Sequence, residues 1–192
     1  MLIRVLSFLL EALSFMLISA ALLRGWMNWL RISMRAQPGL FVMAVTDWLV
    51  KPLRRLLPKT LAHSRLDWAS VLCAGALSLV FALLWSLLAG TLSSSVGGGA
   101  PSALAIALSL LGFALKMTIR VALQTLFFMV LAFAVLSWVQ PGSALFHQLG
   151  RLTAPLTAPL QRILPTIGGI DLSALVLMLL LQVGLMVVGN VV

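Results

Sequence analysis

The sequence predicts an all-α membrane protein: four transmembrane helices forming two parallel internal repeats, each with a cytoplasmic amphipathic, proline-kinked segment. Three observations lead there. The 192 residues are 62% hydrophobic and only 9% charged, and mean hydropathy is +1.15, far too little polar surface for a soluble domain of this length. Four apolar runs are long enough to cross a hydrocarbon core of about 30 Å at 1.5 Å per residue. A short proline-framed phrase, KPLRRLLP at 51–58, returns as APLQRILP at 158–165.

The four runs are about 2–23, 68–89, 121–139 and 172–191. A fifth, 103–115, is too short to cross alone and leads into Lys116 and Arg120, as an interfacial segment or an extended start of the third helix. Eight of the thirteen basic residues (Arg24, Arg31, Arg35, Lys51, Arg54, Arg55, Lys59, Arg65) lie between the first two runs, and the Gly/Ser-rich 91–102 has none. The positive-inside rule therefore makes the first connection cytoplasmic and puts both termini on the outer side. Arg151 and Arg162 agree, whereas Arg4, Lys116 and Arg120 argue mildly against it. The net charge of +9 follows this loop distribution rather than a nucleic-acid footprint. The lone cysteine, Cys73, falls within the second run and allows no intrachain disulfide.

The phrase recurs because a whole unit recurs. IRVLSFLLEALSFMLISAALLR (3–24) is matched by IRVALQTLFFMVLAFAVLSWV (119–139). Each copy then gives a Pro-Gly (38–39, 141–142), a threonine (Thr46, Thr153), a Pro-Leu-x-Arg from Pro52 or Pro159, and a closing proline (Pro58, Pro165). Asp67 or Asp171 opens the next run. The expected division is a first repeat at 1–90, a linker at 91–102 and a second repeat at 103–192.

These motifs resemble the YggT family, called YlmG in Gram-positive bacteria and plastids. The residues that carry the likeness are PGLFVMAVTDWLVKPLRRLLP and LSWVQPGSALFHQLGRLTAPLTAPLQRILPTIGGIDLS. The first copy departs at Trp48, where the family has the proline that Pro155 supplies in the second. The resemblance implies a four-helix protein of the bacterial inner membrane. It also implies associations with osmotic stress, ion homeostasis, division-gene neighbourhoods and thylakoid biogenesis.

Residues 41–57 wound as a helix put Phe41, Val45, Trp48, Leu49, Pro52 and Leu56 on one face and Asp47, Lys51, Arg54 and Arg55 on the other. Such an in-plane helix would dip its apolar face among anionic lipid headgroups. Pro52 should kink it or restart it. The second copy repeats this weakly, with Leu145, Leu149, Leu152 and Leu156 against His147, Gln148 and Arg151, until Pro155 and Pro159 break it. The segments either tether the helices or meet a lipid, an ion or a partner. Arg55 keeps a counterpart in Arg162, whereas Lys51 and Arg54 become Ala158 and Gln161, which suggests a specific acceptor for the retained arginines.

Asp67 and Asp171 stand where N-caps stand, with ion binding as the alternative. Ser70, Ala74, Ser78, Ala82, Ser86 and Gly90 recur every fourth residue and permit close helix approach, in the bundle core or at a dimer face. Glu11 is the one acidic residue within a membrane run, with Arg120, Lys116 or Arg4 as candidate partners. It would form an ion pair, stay protonated, or mark an ion pathway. Gln124 and Gln182 could line the same interior or bond across helices.

No catalytic constellation is visible. His63 and His147 lack metal-ligand spacing, and Gly97-Gly98-Gly99 has no phosphate-loop context. We expect no enzyme, no cofactor, no metal and no nucleic-acid partner. The partners expected are the bilayer, anionic lipid headgroups, and a homo-oligomer or other membrane proteins. Function divides between a transport-related role in osmotic or ion homeostasis and a membrane scaffold for division or complex biogenesis.

Overall fold

The computed structural model describes residues 1–34, 38–56, 67–88, 102–162 and 172–190, which are helical apart from short connections, with no strand among them. Six helices follow in order: α1 (Leu2–Trp29), α2 (Gly39–Leu56), α3 (Trp68–Leu88), α4 (Ala103–Val139), α5 (Ala144–Gln161) and α6 (Leu172–Asn190). α1, α3, α4 and α6 are long and apolar enough to cross a membrane. Both halves of the chain thus read long helix, amphipathic helix, long helix.

α1 runs past its expected end at Leu23 to Trp29. Arg24 does not mark the boundary because its guanidinium is buried against polar groups of α2. The helix stops instead in a Schellman turn: Arg31 N–H donates to the Asn28 carbonyl at 3.1 Å and Ile32 N–H to that of Met27 at 3.0 Å. Arg31 takes the left-handed φ of 53° that this turn requires, a position glycine usually fills. Ile32 and Met27 supply the apolar contact beneath it.

The segment 103–115 is an extended start of the third crossing: α4 is one helix of 37 residues, about 55 Å long. Ser102 caps it, its side chain accepting from Ala105 N–H at 3.3 Å. Nor do the prolines break the amphipathic helices. α2 continues through Pro52 and α5 through Pro155 and Pro159. All three prolines are exposed, so the carbonyl each leaves free, four residues earlier on the same face, lies toward water or headgroups that can satisfy it.

α1 packs on α3, both pack on α4, and α6 packs on α4. α2 lies across α1 and α3, and α5 lies across α4 and α6, so each amphipathic helix clamps the long helices of its own half. The small-residue stripe of α3 faces this interior. Ser70, Ala74, Ser78 and Ala82 are buried and Ser86 is half-buried. A methyl at Gly25 of α1 would sit 3.6 Å from the Ser70 Cβ, so the helices meet at van der Waals distance. Thr118 of α4 donates to Ser78 Oγ at 2.8 Å across the α3–α4 seam. The long helices expose leucine, valine, methionine and phenylalanine on their outer faces, as helices solvated by acyl chains do. Five of the six tryptophans (Trp26, Trp29, Trp48, Trp68, Trp138) gather where α2 and α5 lie, as an interfacial belt.

Candidate functional site

Polar chemistry concentrates in two places: where α2 crosses the ends of α1 and α3, and between the first half of α1 and the middle of α4. At the first, the Arg24 side chain is only 8% exposed and its Nη1 bonds Asp47 Oδ1 at 2.7 Å and Thr46 Oγ1 at 2.9 Å. Thr46 in turn donates to the Val42 carbonyl of its own helix at 2.6 Å. Lys51 Nζ reaches the other Asp47 oxygen at 2.6 Å from a side chain that is 68% exposed. The Asp47 carboxyl is held below its usual range by the hydrogen bond from Lys51 first, with the bond and charge of Arg24 adding to it against the opposing push of burial. By sequence alone Arg24 is only one of the eight cations between the first two apolar runs. The signal that could have found it was an unusually long α1 carrying one arginine and, on α2, one aspartate within reach.

α2 has three faces rather than two. Val42, Thr46 and Val50, four residues apart, are buried against the bundle, and Leu49 and Leu53 pack beside Cys73 and Ala69. Phe41, Trp48 and Pro52 remain exposed, the edge expected to meet headgroups. Lys51, Arg54 and Arg55 are exposed. Arg54, read from sequence as diffuse charge, bonds Asp67 Oδ2 at 2.6 Å. Asp67 is buried directly before α3, and Ser70 Oγ donates to the same oxygen at 3.0 Å. The presumed cap therefore also fastens α2 to α3.

The second copy keeps the hydroxyl and loses the ions. Thr153 is fully buried and donates to the Leu149 carbonyl at 2.9 Å, as Thr46 does in α2. Thr157 donates to the Thr153 carbonyl at 3.3 Å. Asp47 corresponds to Ala154, so no carboxylate stands at that position. Leu149 and Leu152 are the buried leucines of α5, while Leu145, His147, Arg151, Pro159 and Arg162 are exposed. Trp26 Nε1 donates to the Leu152 carbonyl at 3.1 Å, tying α1 to the amphipathic helix of the other half. Above this junction a cavity of about 440 Å³, lined by Leu22, Gly25, Trp26, Trp29, Val71 and Met129 among others, opens between α1, α3 and α4. Its apolar walls suit an acyl chain.

The second polar place is a cavity of about 190 Å³ between α1 and α4, lined by Glu11, Arg120 and Gln124 with Phe8, Ala12, Phe15, Met117 and Val121. Glu11 and Arg120 stand on its walls rather than in direct ion-pair contact, and both are exposed. Lys116 is half-buried one turn away and does not line it. Gln182 does not share the interior expected of it. α6 packs through Ala174, Leu177 and Leu181, and the next residue turns outward by about 100° and is exposed.

Asp171, Gly90, Gly97-Gly98-Gly99, His63, Pro58, Pro165 and most of the 91–102 linker fall outside the described residues. Among the described residues no three His, Cys, Asp or Glu side chains gather as metal ligands would.

Comparison with known proteins agrees with this architecture. The CCB3/YggT family model matches residues 1–88 and 112–192, two segments consistent with two copies of one unit. The chain is 34% identical to the "uncharacterized protein in proC 3'region" of Vibrio alginolyticus, over 97% of this chain and 94% of that one. It is also 34% identical to the "uncharacterized protein YggT" of Escherichia coli K12, covering 93% and 86% of the two chains. An uncharacterized protein of Haemophilus influenzae is 29% identical over 83% of this chain and 78% of its own. No solved structure matches. With the family model covering both halves and relatives matching nearly end to end, the chain belongs to the CCB3/YggT family.

Proposed function

We propose that this chain is a non-enzymatic, multi-pass protein of the bacterial inner membrane with a transport-related role in ion or osmotic homeostasis. The observation that supports this reading is the cavity lined by Glu11, Arg120 and Gln124 within two candidate spans. Ionisable side chains on membrane-spanning segments are costly and recur where ions or protons move. The cavity has room for several waters, so the Glu11 carboxylate could take up and release a proton through them while the permanently charged Arg120 guanidinium holds an anion or biases that equilibrium. The proposed orientation, with α2 and α5 on the cytoplasmic side, follows from the cations there. Ion flux into liposomes holding the purified protein tests the reading. Wild type should conduct and Glu11→Gln should conduct less; intact protein with no flux above empty liposomes would remove it.

A scaffold for cell division or membrane-complex assembly is favoured by a different observation. Leu104, Leu108, Leu111 and Leu115 are all exposed at the start of α4 with the 4-3-4 spacing of a helical seam. Those leucines offer a partner helix a ready surface.

A further inference from the structure

Glu11 and Arg120 pose a physical problem that the single chain leaves open. Both are exposed, and both lie within candidate membrane-spanning helices, α1 spanning 2–29 and α4 spanning 103–139. Glu11 is roughly 20 Å along α1 from Arg24 and roughly 15 Å from the helix start. On a span that crosses the bilayer, an exposed group meets lipid unless protein, headgroups or a water-filled cavity cover it. An uncovered charge there raises the free energy enough that such residues almost always face a protein interior or a water-filled cavity.

We propose that the open side of this cavity is the contact between two copies of this chain, related by a two-fold axis along the membrane normal. Glu11 of each copy then faces Arg120 of the other. Charge complementarity carries the proposal, under a constraint the bilayer adds. Both copies insert with the same orientation, so a two-fold axis along the normal brings each residue opposite groups at its own depth. A face can then neutralise itself only if it holds an acid and a base at equal depth. Glu11 and Arg120, lining one cavity, meet that condition. Gln124 lines the same walls with an amide that can donate and accept across the contact. Ala12, small and exposed at the cavity, allows close approach. The small-residue stripe of α3, the other candidate dimer face, is consumed inside the bundle. The dimer would close the cavity off from lipid and complete it with charges from both copies. The inference concerns the cavity on which the transport reading rests, but it stands whether or not ions cross.

Full-length protein carrying Cys73→Ser and Ala12→Cys, in native membranes and in liposomes, provides the test. Oxidation or a short bismaleimide should yield a species of twice 20.6 kDa. Met186→Cys, on the exposed face of α6, should give little. Adding Glu11→Arg should weaken the dimer about tenfold, the scale of one interhelical polar interaction in lipid. Pairing it with Arg120→Glu should restore cross-linking, which a merely damaged fold would not do. Glu11→Gln serves if the reversed charge blocks insertion, and should also lower the dimer fraction. A monomer under all conditions, cross-linking indifferent to these charges, or capture of a different protein at Ala12→Cys would each overturn the proposal. Flux measured on the same samples separates the two readings. A charge-dependent dimer that does not conduct removes transport alone, and a conducting monomer removes the dimer alone.

Discussion

The ion pair between Arg24 and Asp47 should be among the strongest single interactions fastening an amphipathic helix to the bundle, and its size can be worked from its geometry. The Nη1–Oδ1 distance is 2.7 Å, with Arg24 8% and Asp47 30% exposed. With charge centres about 4 Å apart and an effective dielectric constant of about 20, the attraction is about 4 kcal/mol. Desolvation of Arg24 offsets part of this, leaving a coupling of about 2 kcal/mol, the range of a charged hydrogen bond. Arg24→Gln, Asp47→Asn and the double variant form the cycle, read by denaturant unfolding in mild detergent. Asp47→Asn should cost about 2–3 kcal/mol because it leaves a buried guanidinium with only neutral acceptors, Thr46 Oγ1 and the new amide oxygen, and no counter-charge. Lys51→Ala, which removes the exposed partner, should cost under about 0.5 kcal/mol. The pH dependence follows from the same pair. Asp47 titrates lower in the fold than its ordinary 3.8. Its contribution is therefore full above that value and lost as pH falls through the lower folded-state pKa. Asp47→Asn should remove this component of acid sensitivity. A coupling below about 0.5 kcal/mol, or Lys51→Ala as damaging as Asp47→Asn, would refute the assignment.

Two further outcomes follow from the same geometry. Gly39→Ala should destabilise by about 1–3 kcal/mol, because a Cβ there would lie 2.6 Å from the Met34 Cα and 2.9 Å from its carbonyl oxygen; Gly142→Ala, with nothing within 4 Å, should be near neutral in the same unfolding assay. Arg54→Gln should lower the melting temperature more than Arg55→Gln, since Arg54 neutralises a buried Asp67 whose side chain is 5% exposed, and an equal or larger effect at Arg55 would favour the specific acceptor that its retention as Arg162 suggests.

The parts of this fold legible in the sequence were those written as composition and period. Apolar runs gave the four crossings because length against bilayer thickness leaves few alternatives. The every-fourth-residue stripe from Ser70 gave the buried face of α3 for a similar reason: backbones approach closely only where side chains are small. Boundaries failed where tertiary partners override local chemistry. Arg24 looked like a helix end because charge ends apolar runs, and only its bonds to Thr46 and Asp47 explain why α1 continues. The prolines looked like breaks because propensity assigns a cost to the lost hydrogen bond, yet at exposed positions solvent or headgroups can satisfy the freed carbonyl. The left-handed Arg31 carried no signal, since glycine is what that position ordinarily shows.

What neither copy could reveal alone is how the two are set against each other. The internal alignment pairs Arg4 with Arg120, both following an isoleucine and preceding a valine. An exact two-fold relation between the copies would hold these arginines at one depth. The structure instead puts Arg120 beside Glu11 and brings the Phe15 and Phe128 rings to 6.1 Å, in edge-to-face contact. Both pairings shift α4 along α1 by several residues relative to the alignment, about 5–10 Å. That slip places a repeated arginine opposite the one intramembrane carboxylate, which has no counterpart in the second copy because Phe127 occupies its place. The polar cavity is thus a product of offset packing between the halves. Bulk added at the buried side of that seam, Val121→Phe, should disturb the approach of Glu11 and Arg120 while leaving each helix intact.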